Sequence, residues 1–148
     1  VVSRNSDSSW RAARRVTFGG GDFGRWSPNG RRIVYSRRDG LWALTPGPVG
    51  VPRQVLQFDD PAAVPLPPVV LWAPDGRTLY YKAFDANGQS GIWSFPIRGR
   101  AKPRPVLLFD DPERQSTRPE FATDGQRLFF TLTEREGDIW EMELNSQR

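Results

Sequence analysis

The chain of 148 residues contains no cysteine and no histidine. Without cysteine it can form no disulfide, and it offers no thiolate as a metal ligand or nucleophile. Without histidine it lacks the most common general base, the usual partner of a catalytic serine and the most common zinc ligand. We therefore expect no enzyme activity within this chain, although a separate domain of the same protein could be catalytic.

Long apolar runs are missing as well. No stretch approaches the roughly 18 residues that a membrane helix needs, and no window shows the apolar period of a helix. Hydrophobic residues still make up 37% of the chain and charged residues 26%, which is the composition of a folded domain. Six tryptophans, nine phenylalanines and three tyrosines require a buried environment.

One pattern occurs three times, at intervals of about 50 residues. Each copy begins with an aromatic residue followed by a turn of the Pro-Asp-Gly kind, at residues 26–30, 72–76 and 121–125. A run of β-branched and aromatic residues follows, and then a Leu-Trp or Ile-Trp pair that ends at Trp42, Trp93 or Trp140. The turn predicts a type I reversal with a left-handed glycine. Each copy predicts four short strands, a to d, whose apolar runs indicate burial on both faces.

The repeat predicts an all-β fold: a partial β-propeller of about three four-stranded antiparallel blades plus the tail of a preceding blade. The expected division is residues 1–18 for that tail, 24–58 and 68–109 for two blades, and 118–144 for a blade without its outer strand. Propellers close with 4–8 blades. The chain is therefore interpreted as the C-terminal part of a longer propeller.

The pattern resembles the TolB-type repeats of bacterial propellers, a WD-repeat-like class. Blades of that class follow W-S-P-D-G-R-x-I-x-Y/F, then D/G-I-W, then R-x-L-T. Residues 26–35 and 72–81 match the first part, residues 137–140 match the second, and residues 15–17 resemble the end of a preceding strand d. The Gly-His and Trp-Asp landmarks of true WD repeats are absent. The resemblance extends over about residues 14–144 and is specific for fold, not for activity.

The resemblance implies a bacterial protein, periplasmic or cytoplasmic, such as a TolB-like protein or the C-terminal propeller of a kinase or regulator. We expect a non-catalytic module without cofactor or metal that binds a protein, peptide or other ligand. Further propeller blades, or a second copy of the chain, are expected partners of its open blade faces. The alternative is the accessory propeller of a prolyl-oligopeptidase-type hydrolase. Nucleic acid is not favoured, because the basic residues are spread through loops.

Several loop residues are candidates for a ligand or partner face. They are the repeated pairs Asp59-Asp60 and Asp110-Asp111, each followed by proline, and the basic pair Arg37-Arg38. Carboxylate pairs can bind a cation, but two residues supply too few of the 6–8 oxygens that calcium takes, and a structural turn is the simpler interpretation. The glycine-rich run at residues 19–24 lacks the Gly-Lys-Ser/Thr of a phosphate loop. It is interpreted as an inter-blade loop.

The order of strands in a blade separates the loops into two rims. The d–a and b–c loops lie on the first rim, which holds the candidate residues above and has an excess of acids. The a–b and c–d loops lie on the second rim, whose basic residues are Arg11, Arg14, Arg31, Arg77, Arg98, Arg100, Lys102 and Arg104. We expect opposite electrostatic potentials on the two rims, which would steer charged partners. Ordinary solvated loops are the alternative.

Overall fold

The computed structural model describes residues 5–47, 50–59, 68–84, 89–99, 101–111, 113–116 and 118–134. Within these ranges the chain forms twelve β-strands and no helix. They are β1 (Asp22–Trp26), β2 (Ile33–Arg37), β3 (Gly40–Leu44), β4 (Arg53–Gln57), β5 (Val69–Trp72), β6 (Thr78–Phe84), β7 (Ser90–Pro96), β8 (Arg104–Leu108), β9 (Arg114–Gln115), β10 (Phe121–Thr123), β11 (Leu128–Phe130) and β12 (Thr133–Glu134). No helix in this part has the length and apolar character needed to cross a membrane.

Two antiparallel sheets of four strands account for the first two sequence repeats. One has the order β1-β2-β3-β4 and the other β5-β6-β7-β8, so each strand pairs with its neighbour in the chain. The third repeat contributes two short antiparallel pairings, the hairpin of β10 with β11 and the more distant pair of β9 with β12. Its predicted strand c, which contains Trp140, lies outside the described residues. The sheets confirm the prediction of an all-β fold built from propeller blades.

The a–b turns have the predicted geometry. In the first blade Gly30 donates its N–H to the Ser27 carbonyl at 2.8 Å, and in the second Gly76 donates to the Ala73 carbonyl at 3.0 Å. Both glycines have positive φ, as does Gly125 in the third turn. A residue with a Cβ is strained in this region, so glycine is required at the end of each turn.

The strands are buried on both faces, as their sequence predicts. On β2, Val34 belongs to a cluster shared with the second sheet, whereas Ile33 and Tyr35 belong to a cluster on the opposite face. The shared cluster combines residues of both blades and lies between them: Val34, Leu41, Ala43, Val70, Trp72, Leu79, Tyr81, Phe95 and Ile97. A second cluster of Val69, Ile92, Phe109 and Phe121 joins the second blade to the third. The sheets are therefore stacked face to face.

The same aromatic contact recurs at successive blade interfaces. Phe58, just after β4, lies 6.1 Å from Tyr81 on β6, measured between ring centroids. Phe109, just after β8, lies 5.1 Å from Phe130 on β11. These pairs occupy equivalent positions in the repeat, so corresponding aromatic residues contact each other at both blade interfaces.

The outer strands β4 and β8 contain the same β-bulge. In the first blade Leu41 pairs with Leu56 but Trp42 pairs with Gln54, so Val55 is the extra residue. In the second blade Ile92 pairs with Leu107 and Trp93 with Pro105. Proline is tolerated in β8 because an edge strand does not need every backbone N–H for the ladder. The bulge explains why the two repeats keep the same spacing from tryptophan to the outer strand.

The segment before the first blade differs from the expectation in two respects. Residues 15–17, predicted to end a strand d, form no strand, although Val16 packs against the outer face of the first blade. The predicted loop at residues 19–24 is shorter than expected, because β1 begins at Asp22 and contains a bulge before Arg25. A bulge admits the flexible Gly24 into a strand, which composition alone does not indicate.

The first aromatic of each repeat is buried unequally. Trp72 and Phe121 are each 8% exposed, whereas Trp26 is 48% exposed. Trp72 lies against the preceding blade, where its Nε1–H donates to the Arg25 carbonyl at 3.2 Å. Trp26 pairs with Ile33 and faces away from the second blade. The face of the first blade that carries Trp26 is therefore less well covered than the equivalent faces of the other two.

Candidate functional site

The b–c turn of the first blade holds Arg37 in a self-contained cluster. Arg37 Nε lies 3.6 Å from Asp39 Oδ1, and its guanidinium lies 4.7 Å from the centre of the Trp42 ring. Trp42 Nε1 donates to the same Asp39 oxygen at 3.0 Å. The neighbouring Arg38 is exposed on the turn. Of this predicted basic pair, Arg37 is thus engaged in stabilising the turn.

The predicted acidic pairs have separate environments. Asp59 and Asp110 are exposed, and Asp60 lies outside the described residues. Asp111 Oδ1 accepts the backbone N–H of Glu113 at 2.9 Å, which fixes a turn before β9. No group of three or more acidic side chains suited to a metal occurs in the described part of the chain. The turn interpretation accounts for the Asp111 carboxylate.

Asp59 acts electrostatically on a buried aromatic residue of the next blade. Burial, assisted by the Asp59 carboxylate, raises the pKa of Tyr81 to about 12. The Tyr81 ring also stacks on Trp93, with 5.8 Å between centroids. Trp42 and Trp93 are both only partly buried, so these repeat landmarks lie at the margin of the core.

The second rim contains a cleft of about 680 Å³ between the first and second blades. It is lined by Ser27, Pro28, Asn29, Arg31, Arg32, Trp72, Pro74, Asp75, Gly76, Arg77, Pro96, Ile97 and Arg98. These residues come from the a–b turns of both blades and from the segment that follows β7. Hairpin order brings these loops to one end of the blades. Four guanidinium groups and one carboxylate thus face a single cavity.

The two turns that form the cleft differ in one charge. Asp75 Oδ1 accepts the backbone N–H groups of Arg77 at 2.8 Å and Thr78 at 2.9 Å. These hydrogen bonds, the one from Arg77 first, lower the pKa of the Asp75 carboxyl. At the equivalent position Asn29 Oδ1 accepts from Arg31 N at 3.1 Å. The first turn thus keeps its side-chain acceptor but has no carboxylate near its arginines.

The cleft arginines contrast with Arg127 of the third turn. The Arg127 side chain forms an ion pair with Asp124, with 2.9 Å between Nη2 and Oδ2. Within the described ranges, none of the four cleft arginines forms an ion pair or a side-chain hydrogen bond. The charges of Arg31, Arg32 and Arg98 are therefore available to a ligand, whereas Arg77 interacts electrostatically with the Asp75 carboxylate.

A buried lysine joins the second blade to the third. Lys82 is 6% exposed, and its Nζ donates to Ser116 Oγ at 2.6 Å and to the Arg118 carbonyl. Ser116 in turn donates to the Thr131 carbonyl at 2.6 Å. Burial lowers the pKa of Lys82 to about 8, against the opposing effect of Glu120. The β9–β12 pair and the β10–β11 pair belong to separate sheets, and this hydrogen-bond network lies between them.

The sequence indicates these two sites only in part. Arg31, Arg77 and Arg98 are predicted as basic rim residues, but the number of residues between them does not show that they share a cavity. Arg32 and Lys82 are not predicted as functional positions. The available signal for Lys82 is a single charged residue within the apolar run of β6, which suggests a buried polar partner.

No protein-family model matches the chain, and no curated protein matches it. Among solved structures, it is similar to the acylaminoacyl peptidase of Pyrococcus horikoshii, with 17% sequence identity and a TM-score of 0.44. The match covers 73% of this chain but only 19% of the peptidase. The chain is therefore similar to less than a fifth of that protein's length.

Proposed function

We propose that this chain is a non-catalytic segment of a TolB-type β-propeller that binds a protein or peptide partner through its rim loops. The observation that carries the proposal is the stacking of blades through continuous apolar clusters. The apolar side chains of the strands therefore serve to hold the blades together. The charged side chains are left in the loops at the two ends of the blades, where propellers and other rigid scaffolds present their binding residues.

The missing histidine and cysteine agree with this function. Ser27 and Ser116 have structural partners instead. Ser27 Oγ donates to Asn29 Oδ1 at 2.8 Å and accepts the Arg32 N–H at 3.0 Å. Ser116 is only 1% exposed and is held by Lys82 and Thr131. Neither serine has the exposed, base-activated geometry of a nucleophile.

We propose that, within a larger protein, the segment completes the propeller of a bacterial sensor, regulator or TolB-like protein. The exposed face of the first blade supports this, because Trp26 occupies a position that is buried in the next two blades. A further sheet stacked on that face would give Trp26 the environment of Trp72. The proposed blades are those predicted from the repeat, at residues 24–58, 68–109 and 118–144.

The proposal is tested by partner capture with the full protein and rim variants. One variant neutralises the first-rim acids (D59N, D60N, D110N, D111N), and another removes the basic pair (R37Q, R38Q). A control, K102Q, removes one charge from the second rim outside the cleft lining. A partner that is captured reproducibly and lost in one rim variant supports binding. Hydrolysis of a peptide or ester substrate by the chain itself, without a specific partner, would contradict the proposal.

A second candidate is the accessory propeller of a prolyl-oligopeptidase-type hydrolase. The repeat pattern resembles the propellers of such enzymes, and the solved structure named above is a peptidase, although its similarity concerns the fold alone. Any hydrolytic step would belong to another domain, because this chain has no histidine. Labelling of the full-length protein by a fluorophosphonate, at a serine in a Gly-x-Ser-x-Gly motif, would favour this candidate.

A further inference from the structure

The second-rim cleft has the charge and shape of a peptide site. We propose that it binds an extended acidic segment of a partner protein, with carboxylates paired to arginines of both blades. This inference rests on the proposed function and assigns the partner's chemistry and its site. The site lies opposite the predicted candidate residues Asp59, Asp110 and Arg38, which belong to the first rim.

One residue difference between repeats adds to the positive charge of the cleft. Asn29 replaces the aspartate found at positions 75 and 124, and it makes the same kind of turn hydrogen bond without a negative charge. Arg31 and Arg32 therefore have no carboxylate in their own turn, unlike Arg127. Planar guanidinium groups pair well with carboxylates, in two parallel hydrogen bonds where geometry permits.

The backbone of the cleft favours an extended anion over a compact phosphate. Compact phosphate sites direct several free backbone N–H groups at one point. Here the N–H groups of the turns are already used: Gly30, Arg31 and Arg32 donate within the first turn, and Gly76, Arg77 and Thr78 within the second. An anion in the cleft would therefore bind to arginine side chains from two blades. This separation of the arginines favours a peptide with carboxylates spread along its length.

The walls between the arginines are apolar. Pro28 and Pro74 are exposed on neighbouring turns, and Pro74 also contacts the third turn, since a Cβ added to Gly125 would lie 3.1 Å from its Cγ. Trp72, Pro96 and the buried Ile97 form the remaining apolar lining. Rigid proline rings give a peptide apolar contact at little entropic cost. The cavity of about 680 Å³ falls within the usual size of a ligand site.

The test is the binding of a fluorescein-labelled octaglutamate peptide to the 148-residue chain, followed by fluorescence anisotropy. We expect the double variant R31Q/R98Q to bind about tenfold more weakly, since it removes one exposed arginine from each blade's side of the cleft. Asn29→Asp keeps the turn acceptor but adds a carboxylate to the cleft, so binding should weaken severalfold without loss of fold. Circular dichroism verifies that both variants are folded.

The control is R38Q/R118Q, which removes the same charge from the first rim. Unchanged affinity in this control, with loss in R31Q/R98Q, supports the cleft. An equal loss of affinity in both double variants would indicate attraction by net charge alone and would overturn the proposed site. An unchanged affinity in Asn29→Asp would overturn it as well. Competition by inorganic phosphate or single-stranded DNA at lower concentration than by octaglutamate would also overturn the assignment to an acidic peptide.

The outcome separates this inference from the proposed function. If the full protein captures a partner equally well with R31Q/R98Q and with the native sequence, partner binding stands and the cleft is not its site. If no partner is captured by the native protein, yet octaglutamate binds in an Asn29-dependent manner, the cleft stands and the proposed function fails.

Discussion

At the scale of single residues, Lys82 shows how a charged group is accommodated between blades. Its ammonium replaces missing backbone pairing in the third blade by donating to Ser116 and to the Arg118 carbonyl. It also lies 5.3 Å from the centre of the Phe109 ring, a cation–π distance. A buried polar group is tolerated when its hydrogen bonds are satisfied, so this lysine fixes the alignment of the two blades.

Lys82 predicts a specific dependence of stability on pH. The folded chain loses the Lys82 proton near pH 8, whereas the unfolded chain keeps it until near 10.5. The unfolded state therefore binds more protons between these values, and the free energy of unfolding rises with pH in that window. Urea unfolding from about pH 7 to 9.5 should show this rise in the native chain and not in Lys82→Met. The exposed Lys102→Met is the control and should retain it.

Trp26 and Trp72 occupy the same position in successive repeats, but we expect their substitution by phenylalanine to change stability unequally. Trp72→Phe loses the hydrogen bond to the Arg25 carbonyl and leaves space in the inter-blade cluster, which should cost about 1–3 kcal/mol. Trp26→Phe at the exposed equivalent should change stability by less than about 0.5 kcal/mol. Urea unfolding followed by circular dichroism compares the two. Equal losses would show that Trp26 is as well packed as Trp72.

At the scale of elements, the a–b turns of successive blades lie beside one another at the second rim. A Cβ at Gly76 would lie 3.9 Å from Pro28, and one at Gly125 would lie 3.1 Å from Pro74. The proline of one turn thus packs beside the glycine of the next. This arrangement couples local turn geometry to the stacking of blades.

The turn contact predicts a graded effect of alanine. Gly76→Ala introduces left-handed strain of about 1 kcal/mol and adds only an ordinary van der Waals contact with Pro28. Gly125→Ala adds a close contact with Pro74 to similar strain, so it should be the more destabilising variant. Thermal unfolding measures both. If Gly76→Ala were the more destabilising, the contact between the second and third turns would be of little consequence.

The repeat predicts local elements better than their assembly. The turns follow from the positions of Gly30 and Gly76, because few other residues adopt a positive φ. The shared bulge in β4 and β8 is implied by the equal spacing of the repeats. The absence of a strand at residues 15–17 could not be predicted, because strand formation depends on a partner strand that local sequence does not specify.

The cleft illustrates the same limit for function. Its arginines are visible in the sequence, but their convergence depends on the offset between neighbouring blades, which only tertiary packing determines. The acidic pairs of the first rim are candidates because they recur, and recurrence also arises from a structural turn such as that of Asp111. Asn29 is informative only by comparison with Asp75 and Asp124, once the role of the turn carboxylate is known.

At the scale of the whole molecule, apolar clusters connect consecutive blades and reach exposed side chains at both ends of the described stack. On the third blade Phe129 and Leu132 are exposed, and on the first blade Trp26 is. Large exposed apolar patches on folded proteins mark sites of association. In a closed propeller such faces are covered by neighbouring blades, so the first-blade face is the one on which we expect association.

This face predicts concentration-dependent self-association of the 148-residue chain. Trp26→Ser should shift the equilibrium toward monomer in sedimentation velocity, because it removes the largest exposed apolar side chain of that sheet. Val51→Ser removes another exposed apolar side chain, in the segment before β4, and should have no such effect. Burial of Trp26 on association would also shift tryptophan emission to shorter wavelength. A chain that stays monomeric at all concentrations, with Trp26 accessible to quenchers, would show that this face does not drive association.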